Sequence, residues 1–151
     1  MTRGKAALLV ALASCGPPAT LSPMGWWVRA PLAPTEIDAV AERVAAGLGT
    51  DGTFVSRELG RVGVEVYIVE PYACERGGIH GECSGWAAEH HLEVSGPPCE
   101  PGSSVAHEQI HWIRWRLTGE RTGHPAGLFG PGGLEDVATD GSCCDGHWCM
   151  E

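Results

Sequence analysis

Apolar positions recur at helical spacing between Thr35 and Leu48, where Ile37, Val40, Ala41, Val44 and Leu48 form one stripe. Thr35 reads as the cap of this helix, with Asp38 three residues on, and Gly47 and Gly49 mark its end. The period then changes to two. Val62, Val64, Val66 and Ile68 alternate with polar residues from Arg61 to Glu70, which predicts a strand stopped by Pro71. Residues 71 to 87 carry Cys74, Cys83 and several glycines and read as a disulfide-stapled loop. Glu89 to Ser95 is a second, shorter strand, ended by Gly96-Pro97-Pro98, with His90 and His91 as solvated or structural residues at its start.

A second helix is expected from a cap at Ser104 to about Leu117, stopped by Gly119. Ala106, Ile110, Ile113 and Leu117 give it a buried stripe, and His107, His111 and Trp115 form the stripe beside it. Beyond Gly119 the chain is rich in Gly and Pro, without a long helical pattern. The fold class that follows is α+β: a packing helix, a small sheet, a helix that carries polar residues inward, and stapled loops.

Composition narrows this picture. The 151 residues suffice for one modest core, and 22 Gly with 11 Pro favour a loop-rich domain over a helical bundle. Nineteen acidic residues against ten basic ones give a net charge of −9, which argues against nucleic acid or an anionic membrane as a charge-driven partner.

The N-terminus reads as a targeting segment. Arg3 and Lys5 precede a short apolar run, Ala6 to Ala13, and then comes Leu12-Ala13-Ser14-Cys15. This resembles the lipobox of bacterial lipoproteins, which implies a signal peptide over 1–14, lipidation of Cys15 and attachment to the cell envelope by that lipid alone. An ordinary cleavable signal at Ala11-Leu12-Ala13, giving a secreted protein, is the alternative. Pro17, Pro18, Pro23, Pro31 and Pro34 make 15–34 a Pro-rich tether, and 35–151 the domain.

Setting Cys15 aside leaves six cysteines: Cys74, Cys83, Cys99, Cys143, Cys144 and Cys149. An even count in a small exported domain points to disulfides. A metal cluster of Cys143, Cys144, His147 and Cys149 is the competing use, but the chain has no C-x-x-C pair.

The chemistry is concentrated in His107-Glu108-Gln109-Ile110-His111, an H-E-x-x-H pattern inside the second helix. Two histidines four residues apart stand one turn apart on one face, so both imidazoles reach one metal ion. Glu108 is then positioned as general base on zinc-activated water. A third ligand is needed, and His124, in Thr122-Gly123-His124-Pro125, and Glu135 are the two options. His124 is preferred, because a short turn from Gly119 to Gly123 returns it to the helix.

The motif, followed by a histidine in a Gly-containing loop and by Phe129, resembles small zincin metallopeptidases of the SprT-like kind over residues 105 to 129. The metzincin continuation is absent, since Arg114 stands at its glycine and Leu117 at its third histidine. The resemblance implies a zincin-like domain, a Zn2+ cofactor on His107, His111 and His124, and hydrolysis of peptide or protein substrates by a monomer. It also implies that an edge strand, here 89 to 95, holds the substrate backbone. Tyr67, Tyr72, Arg114 and His147 are open as the second oxyanion donor. Two other functions stand beside the enzyme: a non-catalytic surface lipoprotein with a structural or vestigial metal, and a disulfide-rich binding module presenting its six tryptophans.

Overall fold

The structure, a computed structural model, describes residues 17–76, 79–98 and 103–140. It is a mixed α+β fold with a small mixed sheet. In chain order come β1 (Ala19–Leu21), β2 (Trp27–Arg29), α1 (Pro34–Gly47), α2 (Gly52–Val62) and β3 (Glu65–Ile68). They are followed by β4 (Tyr72–Arg76), β5 (Ile79–Cys83), β6 (Trp86–Ala87), β7 (His91–Val94), α3 (Val105–Thr118) and α4 (Leu134–Asp140).

Five strands form the main sheet in the order β1-β2-β3-β7-β6, with β2, β3 and β7 parallel and β1 and β6 antiparallel at the ends. Of the strand expected over Arg61 to Glu70, Glu65–Ile68 is β3, whereas Arg61 and Val62 are the last turn of α2; the shorter strand expected over Glu89 to Ser95 is β7. Val28, Val66, Leu92 and Val94 point into the core against Ile37, Val40 and Val44 of α1, Val55 and Leu59 of α2, and Ile110, Trp112 and Ile113 of α3. No helix of the described residues is long and apolar enough to cross a membrane.

Several expectations are corrected. Residues 17–34 are no tether: they supply β1 and β2, and Trp26 is fully buried. The prolines serve tight connections, and Pro34 opens α1 with its fixed φ, so linker-like composition here marks turns. Thr35 does not cap α1. Its cap residue is Ala33, and the Asp38 carboxylate instead accepts from Ser22 Oγ (2.6 Å) and the Met24 amide (2.9 Å), tying α1 to the β1–β2 turn.

The span read as a stapled loop contains the β4–β5 hairpin. Cys83 is disulfide-bonded. The leader, Cys15, Cys99, Cys143, Cys144, His147 and Cys149 fall outside the described residues, and the side chain of Cys74 does too.

The 89–95 segment forms β7, but it is not an edge. β6 folds back across it, so the sheet ends at Trp86–Ala87. Helix α2 was not foreseen; Asp51 caps it by accepting from the Phe54 amide at 2.9 Å.

Helix α3 begins after Ser104 and ends at Gly119, whose φ of 83° is the left-handed conformation glycine adopts freely. Ser104 does not cap through its side chain. Its Oγ donates to the Ser84 carbonyl (2.9 Å) and accepts from the Ser95 amide (3.0 Å), joining the helix start to both ends of the β6–β7 pair. The buried stripe is also shifted: Leu117 is 39% exposed, and Trp112 and Gln109 are fully buried. Trp112 meets Trp26 edge-on with centroids 5.1 Å apart, and Gln109 Nε2 donates to the Ile37 carbonyl of α1.

Glu58 of α2 holds α3 from the other side. Its buried carboxylate accepts from Arg116 (2.9 Å) and Arg61 (3.0 Å). Arg116 first, and then Arg61 and Arg57, hold its pKa below the ordinary 4.5.

Two stability predictions follow from these contacts. Trp26→Ala should cost about 3–5 kcal/mol, read as a shift of the urea midpoint; a near-neutral result would mean that 17–34 is dispensable. A lowered native pKa means that the Glu58 carboxylate stabilises the fold above the ordinary 4.5 and loses that contribution as pH falls through its native value. Glu58→Gln should therefore lower stability by about 2 kcal/mol at pH 7, with the gap to wild type narrowing in thermal melts as the pH falls below 4.5 through the native pKa.

Candidate metal centre

The helical period positions the first two histidines. With the buried stripe of α3 facing the core, His107 and His111 fall on the opposite side at the rim of the domain, both half-buried. Their Nε2 atoms lie 3.2 Å apart.

His124 completes the cluster. Its Nε2 is 3.2 Å from that of His107 and 3.2 Å from that of His111. The loop that returns it uses the left-handed Gly119 and Gly123. Arg114 fastens the loop by donating to the Thr122 carbonyl (3.2 Å) and pairing with Glu120. Arg114 thus secures the loop that carries a ligand, a role its position within the helix did not reveal.

The equilateral arrangement has a chemical meaning. An imidazole nitrogen carries either a hydrogen or an in-plane lone pair, never both. Among three nitrogens in mutual contact at least one pair must therefore match donor with donor or acceptor with acceptor. Three lone pairs can instead converge on one cation. Tetrahedral coordination with metal–nitrogen bonds near 2.0–2.1 Å separates nitrogens by roughly 3.3 Å, close to the 3.2 Å observed. His107, His111 and His124 lie close enough to hold one metal ion.

Glu135, the alternative third ligand, has another place. Its Oε1 is 3.3 Å from His107 Nδ1, the ring nitrogen turned away from the cluster. A carboxylate there fixes the tautomer that leaves Nε2 free to ligate. Close packing brings it in. Leu134 fills the space beside Gly47, where a built Cβ would meet Leu134 Cδ1 at 2.1 Å, and so α4 lies against α1. Gly47, expected only as a stop signal, is the groove in which α4 docks. Phe129 backs the cluster, with its ring centroid 4.6–4.7 Å from all three imidazoles.

Glu108 is buried, 6% exposed. A Cβ on Gly85 would meet Glu108 Oε1 at 2.5 Å, Ser104 Oγ at 2.7 Å and the Glu93 carbonyl at 2.8 Å, so glycine lets the backbone before β6 pass close to both β7 and α3. Two cavities meet at the cluster and share Glu108, His111 and His124. One, of about 490 Å³, is walled by Trp86 and Ala87 on one side and by residues 121–124 on the other. The second, of about 310 Å³, extends past His107, Ser84 and Ser103 to Glu82 and Glu135.

The expected oxyanion donors are differently employed. The Tyr67 and Tyr72 hydroxyls donate to the Glu93 carboxylate at 3.2 and 2.9 Å, and burial together with Glu93 raises the Tyr67 pKa. His90 Nδ1 contacts the Val62 carbonyl, and His91 faces Tyr67, so neither joins the cluster. Comparison with protein-family models, curated proteins and solved structures finds no match to this chain.

The roles assigned to His124 and Glu135 differ in a measurable way. In a Co2+ titration followed by visible absorption, His124→Ala should abolish the tetrahedral spectrum. Glu135→Gln should keep the spectrum and weaken binding by about 10–100-fold. A spectrum lost in Glu135→Gln and kept in His124→Ala would exchange the two roles.

Proposed function

We propose that this chain is a zinc-dependent peptidase with a zincin-like domain, in which His107, His111 and His124 hold the metal and Glu108 is the proton-transfer residue. One observation carries the reading: three Nε2 atoms converge at 3.2 Å beside a buried glutamate from the same helix, at the meeting point of two cavities. Neutral imidazoles suit zinc, and three protein ligands with space beside them are the pattern of a catalytic site, whereas structural sites are closed by a fourth side chain.

When bound, zinc supplies Lewis acidity to a carbonyl oxygen and lowers the pKa of a water molecule towards about 7. The Glu108 carboxylate takes a proton from the attacking water and delivers it to the leaving nitrogen. Glu135 orients His107, and Phe129 packs against all three rings.

The substrate class follows from the sheet. Among the described strands β6 stands at the end of the sheet and walls the larger cavity, the place where an extended chain can be laid alongside a sheet. An extended peptide laid along Trp86–Ala87 passes beside Glu108 and His111. The lipobox-like segment at Cys15 adds an exported setting in the cell envelope.

Glu108→Gln separates this reading from a structural metal site. It should retain one zinc per chain by mass spectrometry and lose about 10²–10⁴-fold in hydrolysis of a fluorogenic peptide mixture. A wild type that binds zinc and cleaves no peptide in that mixture would remove the peptidase reading.

A further inference from the structure

Among the described residues most arginines are committed to carboxylates, and Arg43 donates to the Ala138 carbonyl. Arg29 pairs with Glu65, Arg57, Arg61 and Arg116 with Glu58, and Arg114 with Glu120. Arg121 differs. It has no carboxylate partner among the described residues, in a chain where acidic residues outnumber basic ones nineteen to ten, and it lines the larger cavity beside His124.

Its guanidinium is also held in place. The Arg121 Cζ lies 3.9 Å from the centre of the Trp115 ring. Stacking occupies the flat face of a guanidinium and leaves its N–H edge directed outward, the geometry that takes a carboxylate with two parallel hydrogen bonds. Glu120, the neighbouring acid, is already bound to Arg114. Glu108 borders both cavities, but Glu82 and Glu135 line only the second and Arg121 only the first. An anionic group is therefore better placed at the Arg121 end than at the other.

We infer that Arg121 is a specificity-determining residue that binds a carboxylate of the substrate, supplied by an acidic side chain or by a free C-terminus. This rests on the peptidase reading for its substrate, but the carboxylate site can be tested without turnover. The test uses the full zinc-loaded chain as Glu108→Gln, with and without Arg121→Gln, and two pairs of peptides in calorimetry. One pair carries Glu or Gln internally with an amidated C-terminus. The other is neutral in its side chains and ends in a free carboxylate or an amide.

With Arg121 present, the carboxylate member of at least one pair should bind about tenfold tighter than its amide counterpart. The responding pair identifies the source. In Arg121→Gln the ratio should fall to about one. Equal affinities within both pairs would overturn the inference. A preference that survives Arg121→Gln would also overturn it, by assigning the carboxylate to the metal. Hydrolysis by the Glu108-containing chain is scored separately. A preference that depends on Arg121 without any cleavage would leave the carboxylate site standing and remove the peptidase reading, whereas cleavage without preference would do the reverse.

Discussion

The edge-on contact between Trp26 and Trp112 is the constraint on which the site depends. An α-helix turns about 100° per residue, so fixing one side chain of α3 fixes the direction of all the others. With Trp112 locked against a tryptophan from the β1–β2 segment, Ile110 and Ile113 complete the buried arc and His107 and His111 must emerge on the far side. Glu108 falls between the two arcs, which is why it is buried and yet borders the cavities. The Gln109 bond to α1 and the Glu58–Arg116 pair resist rotation in the same sense.

A helix alone supplies two ligands, and the rest of the centre comes from two returns of the chain. The loop from Gly119 brings His124 back and is fastened by Arg114. α4 brings Glu135 to His107 and is seated by Leu134 against Gly47. These anchors use protein contacts alone, so the elements that carry the three imidazoles are placed by the fold itself. Placing them in this way reduces what metal binding must spend on ordering the chain.

Local patterns in the sequence were enough to identify α1, β3, β7, α3 and the three histidines, because each is specified by neighbours within a few residues. The features that were missed are set by partners far along the chain. β6 covers β7 through a reversal that strand periodicity cannot signal, and Trp26 is a core residue embedded among the prolines of turns. α2 buries little more than Val55, Glu58 and Leu59, too short a stripe to stand out, although Asp51 was a usable cap signal. Glu135 looked like a ligand because sequence spacing measures reach and not which nitrogen of His107 is approached. Gly47 looked like a helix stop, but the contact that needs it lies on α4.

The depth of Glu108 bears on whether the metal centre is catalytic. A carboxylate taken out of water costs stability that an aliphatic side chain at the same position would not, and that cost has to be offset by hydrogen bonding or by function. A purely structural three-histidine centre has no need of this carboxylate to hold the ion. Its place is accounted for if it must stand shielded from water and within reach of the space beside three imidazoles, which is the requirement of proton transfer during hydrolysis.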